Sequence, residues 1–207
     1  MNKFIKKHWK IIIFTISMTI FLFMVKLLLH EQVEMFDTTI YNIISKLRCK
    51  PLTYVFKLIS FLCSTWFVLF ATILIMIFSK NKKAAFYIGL NLLICVLLNQ
   101  GLKLIFARNR PVDINLIIET GYSFPSGHSM VSLAFYGFFI YIIAHINIKK
   151  NHKIIYCSLL ALLIFLIGIS RIYLGVHFAS DVLAGFSLSM AYLILFISIF
   201  YKKMKEN

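Results

Sequence analysis

The sequence predicts an all-α, polytopic membrane protein whose helices form one bundle. Apolar residues make up 61% of the 207 positions and charged residues only 14%, unlike an ordinary soluble domain. The apolar residues fall into long runs, and lysines gather in alternate polar stretches between them. These observations place nearly all of the chain in a bilayer.

A helix needs about 20 apolar residues to cross a hydrocarbon core of about 30 Å. The first run follows a basic start, as a signal sequence does, but it is long and no small-residue cleavage site follows, so we interpret it as a permanent span. Six spans leave no room for a separate soluble domain, and we expect one membrane-embedded domain over residues 1–207. The predicted spans cover roughly 10–29, 58–79, 84–106, 129–147, 154–172 and 178–201.

The lysines predict the orientation, since cytoplasmic segments carry an excess of basic residues. With six spans, the N-terminus, the second loop, the fourth loop and the C-terminus share one side, whereas six of the seven acidic residues fall on the other. We therefore expect a multi-pass cell-membrane protein with both termini in the cytoplasm. The lysines concerned are Lys3, Lys6, Lys7, Lys10, Lys80, Lys82, Lys83, Lys149, Lys150, Lys153, Lys202, Lys203 and Lys205.

The net charge of +15 would indicate nucleic-acid binding in a soluble chain. Here the lysine flanks of the spans account for it, and no basic stripe interleaved with aromatic residues is present. The expected partners are the lipid bilayer and a lipid, not nucleic acid.

The long first outer loop, roughly 30–57, has apolar residues at a helical period from Val33 to Leu47. This pattern predicts an interfacial amphipathic helix. The helix either packs against the bundle, which we favour, or gates the entry of lipid.

The clearest candidates for chemistry are His177 and Asp181, four residues apart. On a helix beginning near Gly175 they would share a face. A carboxylate one turn from an imidazole accepts the Nδ1 proton and leaves Nε2 free as a nucleophile. A solvated ion pair is the alternative for these two residues taken alone.

A second polar string, Pro125-Ser126-Gly127-His128, stands just before the fourth span. Ser126 suits a helix N-cap, and Gly127 lets backbone N–H groups approach an anion, which helix N-termini bind. His128 would then stand beside the anion and protonate a leaving oxygen. An ordinary capped turn is the alternative.

Fixed cations complete the set of candidates. Lys103 and Arg110 are two helical turns apart and face the same way if the third span continues that far, and Pro111 then ends it. Arg171 adds a third cation, and with Asp181 the net charge of +2 balances a phosphate dianion. Basic residues that snorkel at helix ends are the alternative.

The predicted topology places all these strings at the outer face. They resemble the metal-independent (type 2) phosphatidic acid phosphatase superfamily, whose motifs are KxxxxxxRP, PSGH and SRxxxxxHxxxD. The likeness extends to the six-span layout and so to nearly the whole chain. The matching positions are Lys103, Arg110, Pro111, Pro125, Ser126, Gly127, His128, Ser170, Arg171, His177 and Asp181.

The resemblance implies a phosphohistidine mechanism without a metal or other cofactor. His177 would attack phosphorus with the support of Asp181, His128 would protonate the leaving group, and water would hydrolyse the intermediate. The residues that would hold the phosphate are Lys103, Arg110, Ser126, Gly127 and Arg171.

We therefore expect an integral membrane hydrolase that removes the terminal phosphate of a lipid phosphate or pyrophosphate at the outer leaflet. Undecaprenyl pyrophosphate is favoured, because an outward-facing site fits carrier-lipid recycling. The alternatives are phosphatidylglycerophosphate or phosphatidic acid as substrate, and a phosphotransferase that uses an acceptor other than water. A transporter that only holds the anion is the rival from another class, but no paired broken spans are visible. The sequence leaves the oligomeric state open.

Overall fold

The computed structural model describes residues 3–112 and 114–205, with side chains described over 7–112 and 114–200. Several residues used to predict the orientation therefore lie outside the described side chains, namely Lys3, Lys6, Asp113, Lys202, Lys203 and Lys205. The described chain is all-helical and contains no strand. Its helices are α1 (Lys3–Leu29), α2 (Glu34–Ser45), α3 (Lys50–Phe61), α4 (Thr65–Phe78), α5 (Lys82–Phe106), α6 (Gly127–His145), α7 (Lys150–Tyr173) and α8 (Ala179–Lys205).

Five helices are long and apolar enough to cross a membrane, namely α1, α5, α6, α7 and α8. A sixth candidate span consists of α3 and α4 together, which are bent by 45° at a short break. The sequence predicted one continuous helix over 58–79, and that detail is wrong. The Ser64 hydroxyl accepts a hydrogen bond from the backbone N–H of Phe67 and so caps the start of a new helix.

The centre of the bundle is formed by α8, which packs against α1 and α6, while α6 also packs against α7. Its core is aromatic and aliphatic: Phe138, Ile167 and Phe196 are buried together, and the rings of Phe138 and Phe196 meet edge to face with centroids 5.6 Å apart. This packing fixes the N-terminal ends of α6 and α8 side by side.

The segment after α1 contains the helix α2, followed by α3. Against the bundle α2 contacts α7 and α8, and its buried residues are Asp37 and Ile44. A buried carboxylate on this helix is unusual, since Asp is rarely fully buried unless it is paired. The predicted location of α2 at a membrane interface stays a prediction.

Two loops close over the same end of the bundle. The loop between α5 and α6 is hydrogen-bonded to the segment after α7, because the Leu116 N–H donates to the Leu174 carbonyl over 2.8 Å. Within the loop between α5 and α6, the Ser123 N–H donates to the Arg108 carbonyl, also over 2.8 Å. These bonds bring together the polar strings that the sequence singled out.

Candidate active site

A cavity of about 420 Å³ lies beneath the two loops, and residues of all three polar strings line it. Of the eight predicted site residues, five face this cavity and the other three lie behind its wall. The five are Lys103, Arg110, Gly127, His128 and His177. The three behind are Ser126, Arg171 and Asp181, each almost wholly buried.

His177 precedes α8 instead of lying on a helix that begins near Gly175, so this detail of the prediction is wrong. Gly175 takes φ +73 and ends α7, and α8 begins only at Ala179. Asp181 lies in the first turn of α8, where its Oδ2 accepts the Phe178 N–H over 2.9 Å, half of a capping box. The same oxygen is 3.4 Å from Nδ1 of His177, so the predicted pairing of the two side chains is present.

The other ring nitrogen of His177, Nε2, is 3.1 Å from Nη1 of Arg110. Because a guanidinium group only donates hydrogen bonds, Nε2 is the acceptor and Nδ1 carries the proton toward Asp181. Burial lowers the pKa of His177 well below 6.5, and the nearby charges of Arg171, Arg110 and Lys103 lower it further. The imidazole is therefore neutral at pH 7, with its free lone pair directed at a cation.

The PSGH string forms the start of α6. The Ser126 hydroxyl accepts hydrogen bonds from the N–H and the hydroxyl of Ser129 over 3.4 and 3.0 Å, as an N-cap does. The Ser126 N–H donates to the Asp181 carbonyl over 3.0 Å. This contact needs Gly185 on α8, since a Cβ there would lie 2.8 Å from the Ser126 carbonyl oxygen.

Lys103 and Arg110 reach the cavity by a different route from the predicted one. The helix α5 ends at Phe106, because Ala107 adopts a left-handed conformation with φ 45, so Arg110 lies on the loop. Its guanidinium donates to the carbonyls of Gly121, Val176 and Thr120. The ammonium of Lys103 donates to the Tyr122 carbonyl over 2.7 Å. The loop backbone thus positions both cations.

Arg171 is 1% exposed and pairs with a residue that the sequence analysis did not identify. Its Nη2 donates to Oε1 of Glu119 over 2.5 Å, and its Nη1 donates to the Ser60 hydroxyl. Among the described residues, nothing accepts a hydrogen bond from its Nε. Ser170, the neighbouring motif residue, bonds back to the Ile167 carbonyl within α7.

Two further charged residues adjoin the site. Arg108 donates to Asp181 over 2.6 Å and to Asp37 over 2.7 Å. Only the position of Arg108 inside the first motif could have drawn attention to it, because a basic residue at the end of a span ordinarily snorkels. Nothing in the sequence singled out Asp37, since its partners are distant along the chain.

Among the described residues the site holds four cationic side chains and three carboxylates, a net charge of +1 before the two histidines are counted. The cations are Lys103, Arg108, Arg110 and Arg171, and the carboxylates are Asp37, Glu119 and Asp181. Such an arrangement attracts an anion and presents it to a neutral imidazole.

Comparison with known proteins agrees with this geometry. Residues 83–205 match the model of the PAP2 superfamily. Phosphatidylglycerophosphatase B of Bacillus subtilis is 40% identical over 111 residues, which cover 53% of this chain and 54% of that protein, so the chain matches about half the length of this relative. An undecaprenyl-diphosphatase of Sulfolobus acidocaldarius is 24% identical over 187 residues, 87% of this chain and 85% of that protein.

A solved structure is similar over a greater length. The crystal structure of a transmembrane PAP2-type phosphatidylglycerolphosphate phosphatase from Bacillus subtilis superposes with a TM-score of 0.79 at 31% identity. The match covers 90% of this chain and 96% of that one.

A bundle of membrane-length helices that encloses a cationic cavity beside a buried histidine defines a polytopic membrane protein with an anion-attracting site at one end of the bundle. The chain belongs to the PAP2 superfamily, and the resemblance found in its three motifs is confirmed.

Proposed function

We propose that the protein hydrolyses the terminal phosphate of a membrane lipid phosphate or pyrophosphate through a phosphohistidine intermediate. One observation carries the proposal. Nε2 of His177 lies 3.1 Å from Nη1 of Arg110 in a cavity that Lys103 and His128 also line. A nucleophile, cations for the phosphate and a separate proton donor therefore share one space.

In the first step, Nε2 of His177 forms a bond to phosphorus while the bond from phosphorus to the leaving oxygen breaks. The leaving oxygen takes a proton from His128. In the second step, water attacks phosphorus, the N–P bond breaks and His128 recovers a proton from the attacking water. Asp181 stabilises the charge that develops on the imidazole of His177 in both steps.

The phosphate oxygens would be held by Arg110, Lys103 and the first turn of α6 at Gly127, which line the cavity. Arg171 and Ser126, buried behind that wall, would act on the phosphate from there, through the charge of the guanidinium group and as the cap of α6. Guanidinium groups donate in a planar fork that fits phosphate oxygens. The N-terminus of α6 favours negative charge through its dipole and its unpaired N–H groups. This set replaces the charge that a metal ion supplies in other phosphatases.

The rest of the cavity wall supports a lipid substrate. Beside the cations and some polar residues it includes apolar side chains of α4, α5 and α6, namely Val68, Leu69, Leu92, Val96 and Val131. An amphiphile fits such a cavity, with its phosphate among the cations and its tail along the apolar wall.

We favour undecaprenyl pyrophosphate at the outer leaflet as substrate, because the lysine distribution orients the loop end of the bundle outward. The archaeal relative carries the name undecaprenyl-diphosphatase. Phosphatidylglycerophosphate is the second candidate, favoured by the name of the Bacillus subtilis relative that is 40% identical.

Phosphate release by the purified protein, measured across a panel of lipid phosphates in excess chelator, tests the proposal. We expect activity in chelator without any added acceptor, and inhibition by orthovanadate, which mimics the transferring phosphoryl group. Loss of all turnover in chelator with recovery in magnesium would contradict the mechanism. Phosphate transfer only to an added alcohol would indicate a phosphotransferase.

A further inference from the structure

We propose that Arg108 and Asp37 are positioning residues that hold Asp181 and, through it, the nucleophile His177. The proposal rests on the function proposed above and adds two residues outside the predicted site. It also gives a structural role to α2, which carries Asp37.

The side chain of Arg108 bridges two helices. Its Nη1 donates to Oδ1 of Asp181 over 2.6 Å and to the hydroxyl of Ser180 over 2.8 Å. Its Nη2 donates to Oδ2 of Asp37 over 2.7 Å, and the guanidinium lies 4.0 Å from the ring centroid of Phe178. Both carboxylates are shielded from water, with Asp37 4% and Asp181 0% exposed. A planar fork between two buried anions fixes their separation and direction.

Asp37 completes the link from α2 to the start of α8. Its Oδ1 accepts the backbone N–H of Ser180 over 2.7 Å, and its Oδ2 accepts the Ser180 hydroxyl over 2.8 Å. A carboxylate at a helix N-terminus is stabilised by the helix dipole. This one comes from another helix, 143 positions away in the chain, so it anchors α2 to the turn that carries Asp181.

These bonds leave the carboxylate of Asp181 no freedom to turn. Its Oδ2 faces Nδ1 of His177 and accepts the Phe178 N–H, while Arg108 occupies its Oδ1. Without Arg108 a buried carboxylate oxygen would lose its charged partner, which strongly favours rearrangement. The imidazole would then lose the group that fixes its proton and its direction.

Arg108 acts through Asp181 and does not hold the phosphate. It lines a separate cavity of about 670 Å³ between α2 and the segment around Phe178. The cavity with the other cations is lined by Arg110 and Lys103 instead. His177 borders both cavities, so the Arg108 network supports the nucleophile from the side opposite the phosphate site.

The test compares Arg108→Lys with Arg48→Lys in the purified full-length protein. Lysine keeps the charge of Arg108 but cannot fork between two carboxylates. We expect kcat to fall roughly 10²-fold, as a small misplacement of a reacting group does. The inhibition constant of inorganic phosphate, which the cations bind without a bond to His177, should change less than about twofold. Arg48 is the matched control, because it also ties two segments, through the carbonyls of Tyr173 and Ile114, but does not contact Asp181. Its variant should lose much less kcat than Arg108→Lys, because lysine keeps one bond to this turn and the pairing of Asp181 with His177 is untouched.

A second variant, Asp37→Asn, keeps an oxygen for the Ser180 N–H but loses the ion pair with Arg108. We expect a similar fall in kcat, and no further fall in the double variant, since the two residues act as one unit. If Arg108→Lys does not fold, Asp37→Asn is compared with Arg48→Lys instead. A larger loss of kcat in Asp37→Asn supports the positioning role, and an equal loss in the two variants contradicts it.

Failure of this inference is distinguishable from failure of the proposed function. An inactive wild-type protein on every lipid phosphate would remove the proposed function. An active wild type in which the Arg108 and Arg48 variants lose equal kcat would overturn the positioning role alone. An inhibition constant of inorganic phosphate that rises as much as kcat falls would overturn it too, because Arg108 would then hold the phosphate.

Discussion

The two histidines of the site differ in their surroundings, and the difference assigns their roles. His177 has Asp181 at Nδ1 and Arg110 at Nε2, the environment of an oriented nucleophile. His128 lines the same cavity from the first turn of α6. This position agrees with the proposed role of His128 as the proton donor.

We therefore expect His177→Ala to abolish both turnover and the trapped phosphoenzyme, because the nucleophile is gone. His128→Ala should lower the rate by roughly 10²–10⁴-fold, the usual contribution of a general acid. This loss should shrink on p-nitrophenyl phosphate, if it is accepted, because its leaving group needs no proton. Rates on both substrate types with each variant provide the measurement, and equal impairment of both variants on both substrates would contradict the assigned roles.

The lowered pKa of His177 predicts the pH dependence. Burial and neighbouring cations keep the imidazole unprotonated well below pH 6.5, so the acid limb of kcat/KM, which reports the free enzyme, should lie below that pH. The same lowered pKa affects the free energy of unfolding. Above pH 6.5 the histidine is neutral in both the folded and the unfolded protein, and its contribution to stability is complete. Below pH 6.5 the unfolded protein binds a proton at this histidine before the folded protein does, so stability is lost as the pH falls. An acid limb at or above pH 6.5 would argue against His177 as nucleophile. His152→Gln, remote from the site, should leave the profile unchanged.

The carboxylate of Glu119 lies beside Arg171 and Arg110, where the proposed mechanism places the phosphate oxygens. Its carboxylate binds Arg171 over 2.5 Å and lies 4.0 Å from Nη2 of Arg110. In Glu119→Gln the buried Arg171 loses its counter-charge, so we expect vanadate to bind about tenfold more tightly, the equivalent of one charged hydrogen bond. Inhibition constants for this variant and for Glu34→Gln, an exposed carboxylate on α2, provide the comparison. Weaker vanadate binding would show that Glu119 instead holds Arg171 in its working position.

At the scale of the elements, the end of α7 sets the distance from Arg171 to His177. Gly175 takes φ +73, and a Cβ there would lie 2.2 Å from the Ile114 carbonyl oxygen, so only glycine fits. The turn carries α7 directly into the segment that holds His177.

We expect Gly175→Ala to lower the melting temperature and kcat together, because the backbone of both loops must shift. Gly101→Ala on α5 is the control, since nothing lies within 4 Å of a Cβ there and alanine favours a helix by about 1 kcal/mol over glycine. Thermal unfolding and turnover of the two variants measure the effect. A Gly175→Ala protein as stable and active as the Gly101→Ala protein would contradict this account.

The elements themselves were largely predictable. The spans predicted from hydrophobic length match α5 to α8 within a few residues, whereas α1 begins at Lys3 and not near residue 10. A helix, α2, is also present in the segment between α1 and α3. Hydrophobic runs are local properties, so the sequence reveals them. The break between α3 and α4 was missed because Ser64 and its neighbours sit inside an apolar run.

At the scale of the whole molecule, the polar strings and the closing loops gather at one end of the bundle. The distribution of lysine predicts that this end faces outward.

In a Cys49→Ser background, which removes an exposed thiol, a cysteine introduced beside Glu119 should react with an impermeant thiol reagent in intact cells. A cysteine beside Lys150 should react only after the cells are opened. The reverse pattern would overturn the predicted orientation and the outer-leaflet substrate with it.

The sequence alone determined the membrane class, the family and five of the residues that line the cavity, because span length and motif spacing can be read along the chain. Only the tertiary structure decided how the residues meet. Arg110 reaches Nε2 of His177 from a loop and not from a helix. Glu119 pairs with Arg171 across 52 positions, and Asp37 pairs with Ser180 across 143. Such contacts depend on which helices pack together, and in a single sequence no local pattern records that packing.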